Sequence, residues 1–394
     1  MIEMSGLQAD LVASDPPTAE ATEVRDDPVP AGPRPADRAH VIFLWIMVPI
    51  AVVLTVVSSI LFANKNVEAS VIALFVAGYA MCCSIILTAI LVAMHLYAFT
   101  NPVEQRFIIR IIVMCPIYAM DSFLALQFYH LGVIIAVIRD TYEGYVIFQF
   151  FQLLLAYGGG DRLVVQEWAV SKPTMQHPWP FGRLTPVNLN QNTLDWWKWM
   201  VTQYAVINPL LTLITIPLYF IEQDGKPIYE EGRLDLGSAY FWIAGIRFWS
   251  VGGALTALLY FLFAVEPQIP DKKPEAKFLA VKAVVFATFW QSVLFAGLSH
   301  YKVIQRTNLW SKEEVATGLN NFCVCCEMFF VSIIHRWVFS DSPYLTEVGR
   351  YPPNRYILKY LFNIDDVTKV IQSDLIQFTG NKVRETDRLI RNWE

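Results

Sequence analysis

Eight stretches of this chain are long and apolar enough to form membrane-crossing helices, a feature that excludes almost every soluble fold. They run from about Val41 to Ala63, Ala69 to Thr100, Phe107 to Phe128, Leu131 to Tyr157, Met200 to Ile221, Ala239 to Val265, Phe278 to Ser299 and Gly318 to Phe339. A crossing takes about 20 apolar residues, because the hydrocarbon core is about 30 Å thick and a helix rises about 1.5 Å per residue. Composition agrees, with 55% hydrophobic and only 16% charged residues, against about 25% charged in a typical soluble domain. The expected fold class is an all-α integral membrane protein, multi-pass, in a plasma membrane or endomembrane.

Orientation follows from where the cations lie, since Lys and Arg near helix ends favour the cytoplasmic side. With both tails inside, the cations of the inner segments include Arg34, Arg38, Arg106, Arg162, Lys172, Arg183, Lys198, Lys272, Lys273, Lys277, Arg336, Arg350, Arg355 and Lys359. The outer loops hold six: Lys65, Lys226, Arg233, Lys302, Arg306 and Lys312. No basic cluster is dense enough to argue for nucleic acid.

Three regions are expected. Residues 1–39 are rich in Pro, Ala, Asp and Glu without apolar period and read as a disordered cytoplasmic tail. Residues 40–340 carry the helical bundle of about eight spans. Residues 341–394 form a cytoplasmic tail in which Val367, Val370, Ile371, Leu375 and Ile376, behind Asp365 and Asp366, predict an amphipathic helix. Such a helix docks on the bundle or lies on the membrane surface.

Ionisable residues inside apolar runs are the strongest functional signal. Arg139, Asp140 and Glu143 interrupt the run from Leu131 to Tyr157, Asp121 interrupts the one before it, and Glu327 sits in the last. A charge at mid-bilayer costs roughly 2.5 to 3.5 kcal/mol even on insertion scales, so such groups face a bundle interior or a wet cavity and take partners. Arg139 and Glu143 are four apart, on one helical face, which predicts an intrahelical pair and leaves Asp140 to find a cation on another helix. Arg110, Arg247 and Lys282 are the candidates, and Asp121 competes for them. Two readings stand: buried pairs that set helix register, or the lining of a polar path or head-group site.

Other features are weaker. Asn208-Pro209 frees a backbone carbonyl within the membrane, as a kink or a ligand contact. Gly158-Gly159-Gly160 ends a helix with left-handed cap geometry and lacks the Lys-Ser/Thr of a phosphate loop, ahead of the longest internal loop, Asp161 to Asp195. Trp196, Trp197 and Trp199 read as an interfacial aromatic belt. The six cysteines fall in apolar segments and read as packing residues; Cys323, Cys325 and Cys326 cannot converge on one metal from a regular helix. His95, just inside its span beside Tyr97, reads as a core residue. Neither a nucleophile signature nor a cofactor motif is visible, so an enzyme of lipids is disfavoured.

Several motifs in register resemble a known family. They are Asn-Pro-Val-Glu-Gln-Arg (101–106), Pro-Ile-Tyr-Ala-Met-Asp-Ser (116–122), Arg-Asp-Thr-Tyr-Glu-Gly-Tyr-Val-Ile (139–147), Gly158-Gly159, Lys277-Phe278 with Val281-Lys282, Phe289-Trp290-Gln291 and Cys326-Glu327-Met328-Phe329-Phe330. Across about Met94 to Phe339 their order resembles the organic solute transporter alpha-subunit family, in particular its transmembrane-protein-184 branch. The resemblance implies a bundle of seven family helices, to which Val41 to Ala63 adds one N-terminal helix. It also implies facilitated movement of amphipathic anions such as bile acids and steroid conjugates, aided by a small beta subunit. That transport belongs to the transporter branch; the transmembrane-protein-184 branch, the nearer to this chain, is linked more to membrane trafficking and signalling. The alpha subunit's cysteine cluster after the double glycine is missing from Asp161 to Asp195.

The sequence therefore predicts a non-enzymatic carrier of steroid- or lipid-like anions, with Asp121, Arg139, Asp140, Glu143, Asn208 and Glu327 lining the path. Expected partners are the lipid bilayer, the amphipathic solute, and either a small single-span beta-like subunit or a homo-oligomeric copy. The alternative is a scaffold or receptor-like membrane protein whose charges are structural.

Overall fold

The computed structural model describes residues 69–128, 131–177, 185–223, 226–229, 236–301, 303–304 and 312–345, with isolated positions at 45–53 and 368–376. The expected N-terminal tail and the helix from Val41 to Ala63 fall almost wholly outside the described residues. The helices are α1 (Ala69–Tyr97), α2 (Pro102–Ile112), α3 (Met114–Gln127), α4 (Gly132–Tyr157), α5 (Asp161–Ser171), α6 (Gln191–Phe220), α7 (Ala239–Val265), α8 (Pro274–His300) and α9 (Lys312–Val338). Two-residue strands pair antiparallel, β1 (Thr174–Met175) with β2 (Val187–Asn188) and β3 (Glu222–Gln223) with β4 (Lys226–Pro227).

Among the described residues five helices are long and apolar enough to cross a membrane: Val71–Tyr97, Pro102–Gln127, Gln191–Phe220, Ala239–Gln268 and Glu314–Tyr344. Helix α4, with 26 residues, and α8, with 27, have the length as well, and α4 carries three ionisable groups in its first half. The second of the five spans is α2 and α3 together. Pro116 has no N–H to give the Ile112 carbonyl, and the helix is interrupted just before it, at Val113, before Ile117 N–H resumes bonding to the Val113 carbonyl at 3.3 Å.

Neighbours follow a simple order: α7 packs on α6, α6 on α4, α4 on α2 and α3, and α9 on α1, α3 and α8. Most of the apolar core lies between these layers, with Phe150, Phe151, Trp168, Trp197, Phe261 and Phe339 among its aromatic members. At Gly144 the α4 and α6 backbones come so close that a Cβ would lie 3.0 Å from the Ala205 Cα and 3.3 Å from the Tyr204 carbonyl oxygen. Only glycine tolerates that approach.

Two expectations need correction. The segment from Asp161 to Asp195 is not one loop, because α5 occupies its start and α6 begins at Gln191. Gly159 (φ 80°) and Gly160 (φ 93°) do supply the left-handed turn, and the Gly160 N–H reaches the Leu155 carbonyl at 2.9 Å. The chain then re-enters a helix anchored by Trp168, whose indole N–H donates to the Ala264 carbonyl at 3.0 Å. The Trp belt also divides: Trp196 is exposed and stacks on Trp199 with centroids 5.3 Å apart, whereas Trp197 is buried beside Trp168 and Phe261. A helical advance of about 100° per residue places consecutive tryptophans on different faces.

Candidate polar site inside the bundle

A chain of opposite charges crosses three helices. Asp121 on α3 meets Arg139 on α4 (Oδ2 to Nη1, 3.3 Å), Arg139 Nε meets Asp140 Oδ1 at 3.4 Å, and Asp140 Oδ2 meets Arg247 Nη1 of α7 at 2.8 Å. Helix α6 completes the Asp140 shell. Thr212 donates its hydroxyl to Asp140 Oδ2 at 3.1 Å and accepts from Arg247 Nη2 at 3.0 Å, while the Asn208 amide donates to the Asp140 carbonyl. Asp140 is thereby bound by two guanidiniums and a hydroxyl, the arrangement that offsets the cost of burying a carboxylate.

These residues share one level. Asp121, Arg139, Thr212 and Arg247 lie six to eight positions from the helix ends Gln127, Gly132, Phe220 and Ala239, which at 1.5 Å per residue is about 9 to 12 Å. Those ends meet in the expected outer connections.

The sequence pairing is corrected at Arg139. Glu143 does not serve as the partner of Arg139; its Oε1 accepts from the Tyr204 hydroxyl of α6 at 2.8 Å, while Arg139 turns to Asp121 and Asp140. A four-residue spacing offers proximity on the helix surface, but a partner across a packed interface wins where the side chain points into that interface. Of the three cations offered to Asp140, Arg247 makes the contact. Arg110 donates to Gln149 Oε1 at 3.4 Å, and Lys282 lies over the Phe278 ring at 5.4 Å.

Glu327 is not brought to this cluster. On α9 it is Cys325 that faces α3, its Sγ 3.5 Å from the Ala119 carbonyl. Glu327, two residues on, is turned about 200° away. Sequence reasoning passed over Tyr204 and Thr212. The signal was present: Tyr204, Asn208 and Thr212 recur every four residues in an otherwise apolar run.

A second polar network lies at the opposite end of the bundle. Glu104 Oε2 accepts from Lys272 Nζ at 2.9 Å and from the Tyr344 hydroxyl at 2.8 Å, and Lys277 Nζ donates to the Tyr157 hydroxyl at 2.8 Å. Asn101 caps α2 through the Glu104 N–H, and His95 Nε2 contacts the Phe339 carbonyl at 2.9 Å. Cys115 Sγ contacts His335 Nδ1 at 3.4 Å; among the described residues no group of three His, Cys, Asp or Glu is placed to hold a metal.

Residues 73–344 match the family described as organic solute transporter Ostalpha, which is more than half of the chain. The chain belongs to that family. It is also 34% identical over 268 residues to a protein named transmembrane protein 184 homolog from Dictyostelium discoideum, covering 67% of this chain and 51% of the relative. The chain thus spans about half the length of that relative. No solved structure matches. The protein is an integral, multi-pass membrane protein of a solute-transporter family, not of an enzyme class. Both polar networks fall inside the matched residues, and the 101–106 and 139–147 motifs are their main contributors.

Proposed function

We propose that the chain moves amphipathic organic anions, steroid- or lipid-like, across the membrane, and that Arg139 and Arg247 receive the anionic head. One observation carries this reading: in the ion-pair chain the carboxylates are turned inward and the guanidiniums outward. The Asp121 and Asp140 side chains are 2% and 7% exposed, whereas Arg139 and Arg247 are 21% and 30% exposed. An anion arriving from the accessible side meets cation first. It approaches Arg139, whose contacts to Asp121 and Asp140 at 3.3 and 3.4 Å are the longer ones of the ion-pair chain, so that the arriving charge meets a guanidinium rather than a bare low-dielectric interior. Glu143 and Asn208 hold α6 against α4 while this happens. The bilayer covers the apolar outer faces, and a small single-span subunit or a second copy belongs to the same proposal, read by the native mass of the active species.

Purified protein in liposomes is expected to move a fluorescent steroid sulfate. Arg139→Ala and Glu143→Gln should lose flux while still folding; undiminished flux in both sinks the site assignment.

A second reading, a scaffold or receptor-like protein of trafficking, is supported by the packing of Val370 and Ile371 against the bundle core. Deleting residues 345–394 then abolishes the cellular phenotype, and flux-dead variants that fold leave it intact.

A further inference from the structure

Lys277, the fourth residue of α8, is a buried ammonium that no acid of its own neutralises. It is 8% exposed, and its Nζ donates to the Tyr157 hydroxyl and to the Lys272 carbonyl, both at 2.8 Å and both uncharged. The charged groups that act on it are Lys272 and Glu104. Glu104 is engaged elsewhere: its Oε2 accepts from Lys272 Nζ at 2.9 Å and from the Tyr344 hydroxyl at 2.8 Å. Among the described residues the other acids of this stretch, Asp271 and Glu275, are exposed and pair with neither lysine.

The two ammonium groups share one aromatic ring. Lys277 Nζ lies 4.7 Å and Lys272 Nζ 5.2 Å from the Tyr157 centroid, which keeps them within about 10 Å of each other. An aromatic face attracts a cation. It offsets only part of the cost of taking a charge out of water, and the repulsion between two cations adds to that cost. Two cations against one carboxylate leave a positive charge unbalanced.

That excess lies at the level of lipid head groups. Tyr157 is the last residue of α4, Glu104 is in the first turn of α2, Lys277 is in the first turn of α8, and Tyr344 ends the one-turn helix that follows α9. The apolar run of α8 starts only at Phe278. Cation bias favours this end as the cytoplasmic one, where anionic lipids gather and basic pockets between helices hold their head groups. Donors are also to spare. An ammonium has three N–H groups; Lys277 gives two to protein acceptors and Lys272 gives one, to Glu104, which leaves three. The Lys272 side chain is 31% exposed and stands at the end of the short turn Pro270–Lys272, so the buried lysine is reached past it.

We propose that Lys272 and Lys277 bind the phosphate of an anionic phospholipid at the cytoplasmic rim of the bundle. The single negative charge of a phosphodiester balances the excess, and its two non-bridging oxygens accept from both ammonium groups at once. Tyr157 positions Lys277, and Glu104 positions Lys272. A bound head group thereby ties the start of α8 to the turn before it and, through Glu104, to α2. The site is at the opposite end of the bundle from Arg139 and Arg247 and does not depend on the transport reading.

Thermal melting of the delipidated full chain in neutral detergent, with native mass spectrometry to count retained lipid, tests this. Phosphatidylglycerol is expected to raise the melting temperature by about 5 °C, as a ligand selective for the native state does, and to be retained; phosphatidylcholine, whose phosphate carries its own cation, and inorganic phosphate at the same concentration should do neither. Lys277→Met and Lys272→Met should each lose most of the shift, and Lys172→Met, the same charge change at an exposed position, should keep it. An undiminished phosphatidylglycerol shift in Lys272→Met, or in a Lys277→Met protein that folds, overturns the site. Equal loss in Lys172→Met overturns it in favour of general surface attraction, and an equal shift from inorganic phosphate overturns the lipid as its source.

Discussion

Asp140 of α4 and Arg247 of α7 meet at 2.8 Å, and Thr212 of α6 bonds to both. The contact joins three helices at one point. It also places a carboxylate and two guanidiniums where the sequence shows only isolated anomalies in separate apolar runs.

Breaking that junction from one side should be expensive. Arg247→Ala leaves Asp140 with Arg139 and Thr212 as its remaining partners, and a loss of about 3 kcal/mol is expected, the lower end for a buried pair deprived of one member. Asp140→Asn in the same chain should restore part of it, because the orphaned charge is gone; a coupling of at least about 0.5 kcal/mol between the two changes is the expected sign of direct contact. Reversible denaturation of the two single variants and the double variant in detergent measures it, and strict additivity would refute the pairing.

Gly144 sets the spacing of α4 and α6. Gly144→Ala puts a methyl 3.0 Å from the Ala205 Cα, against backbone that cannot step aside. The helices must part, at about 1 to 3 kcal/mol, the usual range for overpacking. The Tyr204 to Glu143 bond crosses the same interface, so Glu143→Gln should cost less in the Gly144→Ala background than alone. A Gly144→Ala variant as stable as the parent contradicts the close approach.

Gln105 ties the α1–α2 turn together. Its Oε1 accepts from the Thr100 and Asn101 N–H groups at 2.9 and 3.0 Å, and its Nε2 donates to the His95 and Ala98 carbonyls at 3.1 and 2.7 Å. Gln105→Ala strands these groups in a buried turn, for a loss of about 2 to 4 kcal/mol from two or more unsatisfied polar atoms. Gln105→Glu keeps the shape but loses the amide donors, so it should be no better than Ala. Melting temperatures of the two variants decide this; a Glu variant matching the parent would show that the donors contribute nothing.

The helices were readable from the chain because their cause is local. Apolar runs of the right length, Pro102 at a helix start and the glycines after Tyr157 act within a few residues, and α1, α4, α7, α8 and α9 each begin within six residues of expectation. The loop after Gly160 was misjudged for a converse reason. Helix α5 is short and weakly apolar, and what holds it is Trp168 reaching the Ala264 carbonyl, almost a hundred residues away.

The candidate site divides in the same way. That Asp121, Arg139, Asp140 and Glu143 must find partners inside a bundle follows from the sequence alone, because a bare charge in hydrocarbon is too costly to leave unpaired. Which partner each takes does not, since it depends on how the helices are rotated and how closely they approach. Tertiary packing alone gave Asp140 to Arg247 and Glu143 to Tyr204, turned Cys325 rather than Glu327 toward α3, and seated Asp374 beside Lys198. The reason is geometric: spacing along a helix tells which face a residue shares, and only the assembled bundle determines what that face meets.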